Sequence, residues 1–463
     1  MFNLKKNIFK RWTFLSAFFI LLILVVSITV NVIIDPFFQY HKPIKNLNYE
    51  YDSIMYQGAG IIKNFDYETL IIGSSLTQNM HPTYAEKLFR SKTVKIPLCG
   101  IGFPFILDAC NLALEKNEKL KSIIMNIDPT LFFNDSEDAS FPSYMYDNNI
   151  FNDVNYLLNK SVLFSENLNV LNRTIRKTDR VNMDVAFSSE KDFYFSEYSA
   201  VQSASNDPID FNEKELYEKF KSGVSSLEDV VEKNPGVEFS FFIPPKSILE
   251  LKTMSFNSYL DFYCNIIKET FETFSSYDNC RVFMFQDDEQ TVENLYNYCD
   301  TQHFSSNVSD KILEDICKGE NLLTKDNCND RLEKIKKMAV NFDYSVFDIE
   351  KSSLKSCDNI TSYMELLKDE RYIYAVRKVG KTSDENSFDV YCGGREYRGK
   401  EVLFDFSDGN RIKIDGVTYS YGHDGINYVV YDKKLNRVID SVRFDSSSGK
   451  AFERLQNRRK DGK

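Results

Sequence analysis

The chain has 463 residues, 57 Lys+Arg against 68 Asp+Glu, and a formal net charge of −11. At 43% hydrophobic and 27% charged it is composed like a globular protein of two or three domains, which excludes collagenous, low-complexity and wholly disordered chains. Its acidity argues against a nucleic-acid partner, and four histidines leave little choice for histidine-dependent chemistry.

Residues 1–11 carry Lys5, Lys6, Lys10 and Arg11 and no acid, and Trp12–Ile34 follows with no charge at all. Those 23 residues, at 1.5 Å each, span a bilayer core of roughly 30 Å. A cleaved signal would have a shorter apolar region and a small-residue cleavage site. Asp35-Pro36-Phe37-Phe38 stands there instead, so an uncleaved anchor is favoured. The basic flank predicts a cytoplasmic N-terminus (1–11), a transmembrane helix (12–34) and an extracellular body of charge −15, which is −11 less the four basic residues. Residues 35–60 read as an irregular neck.

Beyond the neck, short apolar runs alternate with helical spacing. Strands are predicted at 68–76, 93–100, 121–128, 237–245 and 281–286. Helices are predicted at 105–120, 212–233, 256–275, 306–318 and 331–342. That alternation predicts an α/β domain over 61–348, a parallel sheet sandwiched by helices. Residues 134–210, without a clean period, read as an insertion. From about 349 to 463 the chain turns to short β-type runs split by Asp408-Gly409 and Asp415-Gly416, a separate small, mainly β domain. The nine cysteines form no C-x-x-C pair and no Cys/His group at ligand spacing, which argues against a metal site.

In open α/β sheets chemistry collects at the carboxyl edge. Gly73-Ser74-Ser75 ends the first strand, where a serine can serve as nucleophile with its own amide in an oxyanion hole. Gly100 ends the second strand. Near the end of the domain, Asp300 and His303 form a D-x-x-H spacing that lets the carboxylate fix the imidazole tautomer. Each piece has a bland alternative: G-S-S as a turn or cap, D-x-x-H as a capped helix start. Their order, Ser…Asp…His across one α/β domain, is more specific. His41 in the neck, His81 before Pro82 and His423 in the β domain compete poorly.

IIGSSLTQNM, LCGIGF and DTQHFS resemble three sequence blocks of the SGNH/GDSL hydrolases, over roughly residues 60–320. The nearest resemblance is to membrane-anchored members associated with acyl modification of cell-surface polysaccharides. It implies an SGNH-like fold with Ser75 as nucleophile, His303 as base and Asp300 as orienting acid. Oxyanion donors would be the backbones of Ser75 and Gly100. The family's G-x-N-D block falls on Asn126-Ile127-Asp128-Pro129, with Asp128 in the asparagine's place. A carboxylate cannot donate unless protonated, so Asn126 becomes the substitute donor. Ser74 is the neighbouring serine expected to point away.

The resemblance implies no metal or organic cofactor. It implies an acyl esterase or O-acyltransferase on a surface glycan, with the lipid bilayer, a cell-surface polysaccharide and a membrane-bound O-acyltransferase as partners. The alternative is a catalytically inactive scaffold or carbohydrate-binding protein. IKIDGVTYSYGHDGINYVVYDKKLNRVIDSVRFDS (412–446) resembles the interleukin-like EMT inducer domain, with Cys392-Gly393-Gly394 matching its paired glycines. A structural β module and a carbohydrate binder stand as equal readings there, with Asp424 and Asn427 as polar tips.

Overall fold

The computed structural model describes residues 2–134, 140–178, 180–189, 193, 195, 197–205 and 209–344, and, between 370 and 455, a set of strands with residues beside them. Helix α1 (Phe2–Ile34) contains a stretch, Phe9–Ile34, long and apolar enough to cross a membrane, of which only Asn31 and Ile34 are buried. Beyond it the chain reverses at Asp35, whose carboxylate accepts the amides of Gln39, Tyr40 and His41 at 2.9, 2.7 and 3.1 Å.

The expected neck is irregular over 35–53 but packs into the core, and its last residues are helical. Phe38 is fully buried, Phe37 and Tyr49 nearly so, and helix α2 (Ile54–Asn64) buries Ile61 and Ile62. A Cβ on Gly60 would lie 2.2 Å from the Phe37 carbonyl, so glycine lets α2 press directly on this backbone. Apolar side chains spaced among the polar ones drive that collapse.

The central sheet has five parallel strands, β1 (Thr69–Gly73), β2 (Thr93–Pro97), β3 (Ser122–Asn126), β4 (Glu238–Ile243) and β5 (Cys280–Met284), in the order β2-β1-β3-β4-β5. All five predicted strands lie in it. Covered on both faces, these strands need apolar residues at almost every position, which is why they read as runs and not as alternation. Lys95 in β2 is an exception, buried because its ammonium donates to the carbonyls of Gln78, Met80 and Asp184 at 2.6, 3.0 and 2.9 Å.

Helices flank the sheet: α3 (Pro82–Phe89), α4 (Phe103–Lys116), then α5 (Val154–Leu157), α6 (Asn167–Arg176) and α7 (Glu197–Ser203) within the 134–210 segment. They continue as α8 (Glu213–Lys233), α9 (Ile248–Met254), α10 (Tyr259–Phe274), α11 (Glu289–Val292), α12 (Ser306–Lys318) and α13 (Cys328–Asn341). Among the described residues from Tyr372 to Leu455, nine further strands pair antiparallel in a six-stranded and a three-stranded sheet. The expected boundary at 348/349, the turns Asp408-Gly409 and Asp415-Gly416, and Gly394, His423 and Asp424 lie outside the described residues.

The strand order reverses direction between β1 and β3. A crevice opens at such a switch point, at the carboxyl ends of the strands. The segments after β1 and β3 meet there.

Candidate active site

At the end of β1, Gly73 has φ +156°, and a Cβ on it would lie 1.8 Å from Asn126 Oδ1. Only glycine leaves room for that side chain. Asn126, the last residue of β3, accepts the Ser74 amide through Oδ1 at 2.9 Å and donates from Nδ2 to Ser74 Oγ at 3.1 Å. Asn126, expected as an oxyanion donor, thus spends its oxygen and one amide N–H on Ser74 and fixes the turn. Ser74 Oγ also caps the following single turn of 3₁₀ helix, Ser75–Thr77, by accepting from the Leu76 amide at 3.4 Å.

With Ser74 pinned below, half-buried Ser75 turns to the imidazole. Its Oγ lies 2.7 Å from His303 Nε2. His303 Nδ1 lies 2.6 Å from Asp300 Oδ2, while Asp300 Oδ1 accepts the amides of Gln302 and His303, each at 2.7 Å. An ionised Asp300 accepts a hydrogen bond from Nδ1–H, which keeps the proton on Nδ1 and leaves Nε2 as the acceptor facing serine. Burial works against that ionisation, yet the His303 side chain and the two amides outweigh it and hold the Asp300 carboxyl below its ordinary range.

The loop carrying Asp300 and His303 is closed by a bridge between Tyr298 and Phe304 and by the Cys299 amide donating to the His303 carbonyl at 3.0 Å. The segment after β4 clamps it. Ser247 donates its amide and hydroxyl to the Thr301 carbonyl at 2.9 and 2.8 Å. Glu250 accepts from Thr301 Oγ1 at 2.5 Å and from Gln302 Nε2 at 3.0 Å. The two residues between acid and base are therefore held from one side by one short helix start.

Asp128, by contrast, is sealed in. One oxygen caps the turn Pro129–Phe133 by accepting the Thr130 amide at 3.0 Å, and the other meets Lys246 Nζ at 2.7 Å, both side chains almost fully buried. Lys246 also donates to Thr130 Oγ1 at 3.2 Å and Gln302 Oε1 at 3.5 Å. Sequence reasoning noticed the acid and missed its cation. The signal was there: an acid in a buried slot needs a partner, and Lys246 closes the strand-ending run IPPK.

Gly100 sits exposed in the β2–α4 loop with φ +71° and nothing within 4 Å of the place a Cβ would take, a bare stretch of backbone at the same edge. The other described histidines are engaged elsewhere. His81, just before α3, meets Asp310 at 3.0 Å, and His41 meets the carbonyls of Lys42 and Val32 at 2.7 and 3.0 Å. Among the described residues no group of three or more His, Cys, Asp or Glu is arranged to hold a metal ion. The arrangement is a serine–base–acid chain, able to lower the cost of removing the serine proton as an electrophilic carbon is attacked.

No family model matches the chain. No curated protein matches it either. Among solved structures, one described as "a putative platelet activating factor from Streptococcus pneumonia" aligns at 12% identity, over 58% of this chain and 92% of that one, with a TM-score of 0.30. A likeness at that score carries no argument. What the site says, it says through its own geometry.

Proposed function

We propose that the protein is a serine acyl esterase or O-acyltransferase of the SGNH type, acting on a glycan outside the membrane that α1 anchors it to. The observation that carries the chemistry is the unbroken chain Ser75 Oγ–His303 Nε2, His303 Nδ1–Asp300 Oδ2, at 2.7 and 2.6 Å. A catalytically silent scaffold has no need of that alignment.

In the proposed reaction Ser75 Oγ attacks the carbonyl carbon of an acyl ester while its proton passes to His303 Nε2. Asp300 keeps the ring oriented and stabilises the imidazolium without taking the proton itself. The tetrahedral oxyanion would face the Ser75 and Gly100 amides. Collapse breaks the ester C–O bond, the departing alkoxide takes the proton from His303, and the acyl group stays on Ser75. A water or sugar hydroxyl then gives its proton to His303 and attacks the acyl-serine; collapse breaks the acyl C–Oγ bond, and His303 returns the proton to Ser75 Oγ. Which acceptor wins decides esterase or transferase.

The extracellular placement rests on the four basic residues before Trp12, and the glycan on the resemblance of the Ser75, Gly100 and His303 blocks to membrane-anchored SGNH proteins of surface-polysaccharide acylation; the body's acidity disfavours a polyanionic one. The full chain in detergent or lipid should release nitrophenol from a short-chain nitrophenyl ester with an initial burst, acylating Ser75. With a polysaccharide acceptor present, part of the acyl group should appear on sugar hydroxyls. Turnover unchanged in Ser75→Ala would refute the reading.

A further inference from the structure

Large apolar side chains in water are normally scattered, and a concentration of them marks a surface that something else covers. Around α5, Ile150, Phe151, Val154 and Leu158 are exposed, Phe151 to 86%. Along the following turn (Val162–Glu166) and α6, Phe164, Leu168 and Ile175 are exposed as well, the last to 79%. These seven fall within 26 residues. The rest of the described chain beyond α1 exposes six, at 44, 185, 193, 217, 340 and 376.

The same segment grips the end of α1. Asn31 donates to the Leu157 carbonyl at 2.8 Å and accepts from Asn167 Nδ2 at 2.6 Å, and Tyr156 donates to Asp35 at 2.7 Å. From Phe9 to Val26 the helix is exposed at every position. Counted from Trp12, just past Lys10 and Arg11, a hydrocarbon core of roughly 30 Å takes about 20 residues at 1.5 Å each. That ends at Asn31. The level at which α1 would leave the hydrocarbon is the level at which α5 and α6 seize it.

We propose that residues 150–176 form a collar that seats the body in the membrane. Its exposed apolar side chains enter the boundary between headgroups and acyl chains in the leaflet where α1 emerges. Exposed Lys160, Arg176 and Lys177 lie beside these side chains, as in amphipathic segments that rest in a lipid interface. The collar fixes the tilt of the body, which then cannot swing on a tether. The inference rests on the reading of α1 as a retained anchor.

The chain's single tryptophan, Trp12, makes the test direct. The full chain is reconstituted in phospholipid vesicles containing lipids with a nitroxide on the acyl chain. Wild-type Trp12 fluorescence should be quenched, which reports the anchor. In a Trp12→Phe background, Phe151→Trp and Phe164→Trp should lose fluorescence to lipid nitroxide to an extent comparable with Trp12 and shift to shorter wavelength. Val340→Trp, at a position 75% exposed on α13, should instead respond to aqueous iodide. If Trp12 is quenched by lipid but positions 151 and 164 behave like 340, the collar is wrong and the anchor stands. Shielding of 151 and 164 from both quenchers would mean a protein surface, such as a second copy, covers them, and overturns the proposal. An unquenched Trp12 would overturn anchor and collar together.

Discussion

Two turns at the same edge of the sheet, one after β1 and one after β3, use polar residues in opposite ways. After β1, Ser75 is half-buried and faces His303, with its own bonding left open toward solvent. After β3, Asp128 is sealed against Lys246 and the Thr130 amide. The first turn presents a reactive group, while the second anchors Lys246, which together with Glu250 reaches the Thr301–Gln302 link between acid and base. Position at a carboxyl edge therefore does not make a polar residue reactive. What decides is whether its partners leave an atom free to react.

The sharpest way to break this contrast is to separate chemistry from stability. His303→Ala should abolish ester turnover, and Asp300→Asn should lower it by about four orders of magnitude because the amide no longer enforces the needed tautomer. Both should melt close to wild type, as judged by circular dichroism. A loss of less than tenfold in Asp300→Asn would mean that His303 is not oriented through Asp300.

Lys246→Ala should do the reverse, destabilising the fold by about 3–5 kcal/mol by leaving Asp128 buried without its cation. Denaturant titration reads that effect. Replacing both partners with apolar residues of similar volume should recover most of it, and failure to recover would assign Lys246 a role beyond pairing. Gly73→Ala should cost less, about 1–3 kcal/mol, as its Cβ meets Asn126 Oδ1 and disturbs the Ser74 bonds. Its signature is a fall in turnover alongside the fall in stability, because Asn126 fixes Ser74 and with it the turn that presents Ser75.

Acid titration gives a smaller effect. The Asp300 carboxyl is held below its ordinary value, so its contribution to stability is complete above a pH of about 4 and fades as pH falls through the lower folded value. Asp300→Asn should flatten that part of the acid unfolding curve, removing a small contribution at neutral pH without changing the slope there. Smallest of all, Lys121→Ala, which breaks the exposed pair with Glu68, should leave the melting temperature unmoved.

The five strands were legible because each is an apolar run, four of them closed by Gly, Pro or Asn and the last by Gln286-Asp287, and burial on both faces favours such runs. The D-x-x-H loop was legible because its chemistry is local, three residues apart. Less legible were contacts between distant segments. The role of Asn126 depends on Ser74, 52 positions away, and Lys246 lies 118 residues from Asp128, numbers no local pattern encodes. The neck misled for a related reason: its Pro, Tyr and Asn content looks like a linker, and only the tertiary fit of Phe38 and α2 makes it core.

The most direct measurement is covalent. A fluorophosphonate forms a tetrahedral adduct only with a serine whose proton can be taken by a base, so the folded full chain should be labelled, and peptide mapping should place the adduct on Ser75. Labelling should disappear in Ser75→Ala and survive in Ser74→Ala. A folded wild type that takes no label across a broad pH range, or an adduct mapped to any residue other than Ser75, would contradict the account.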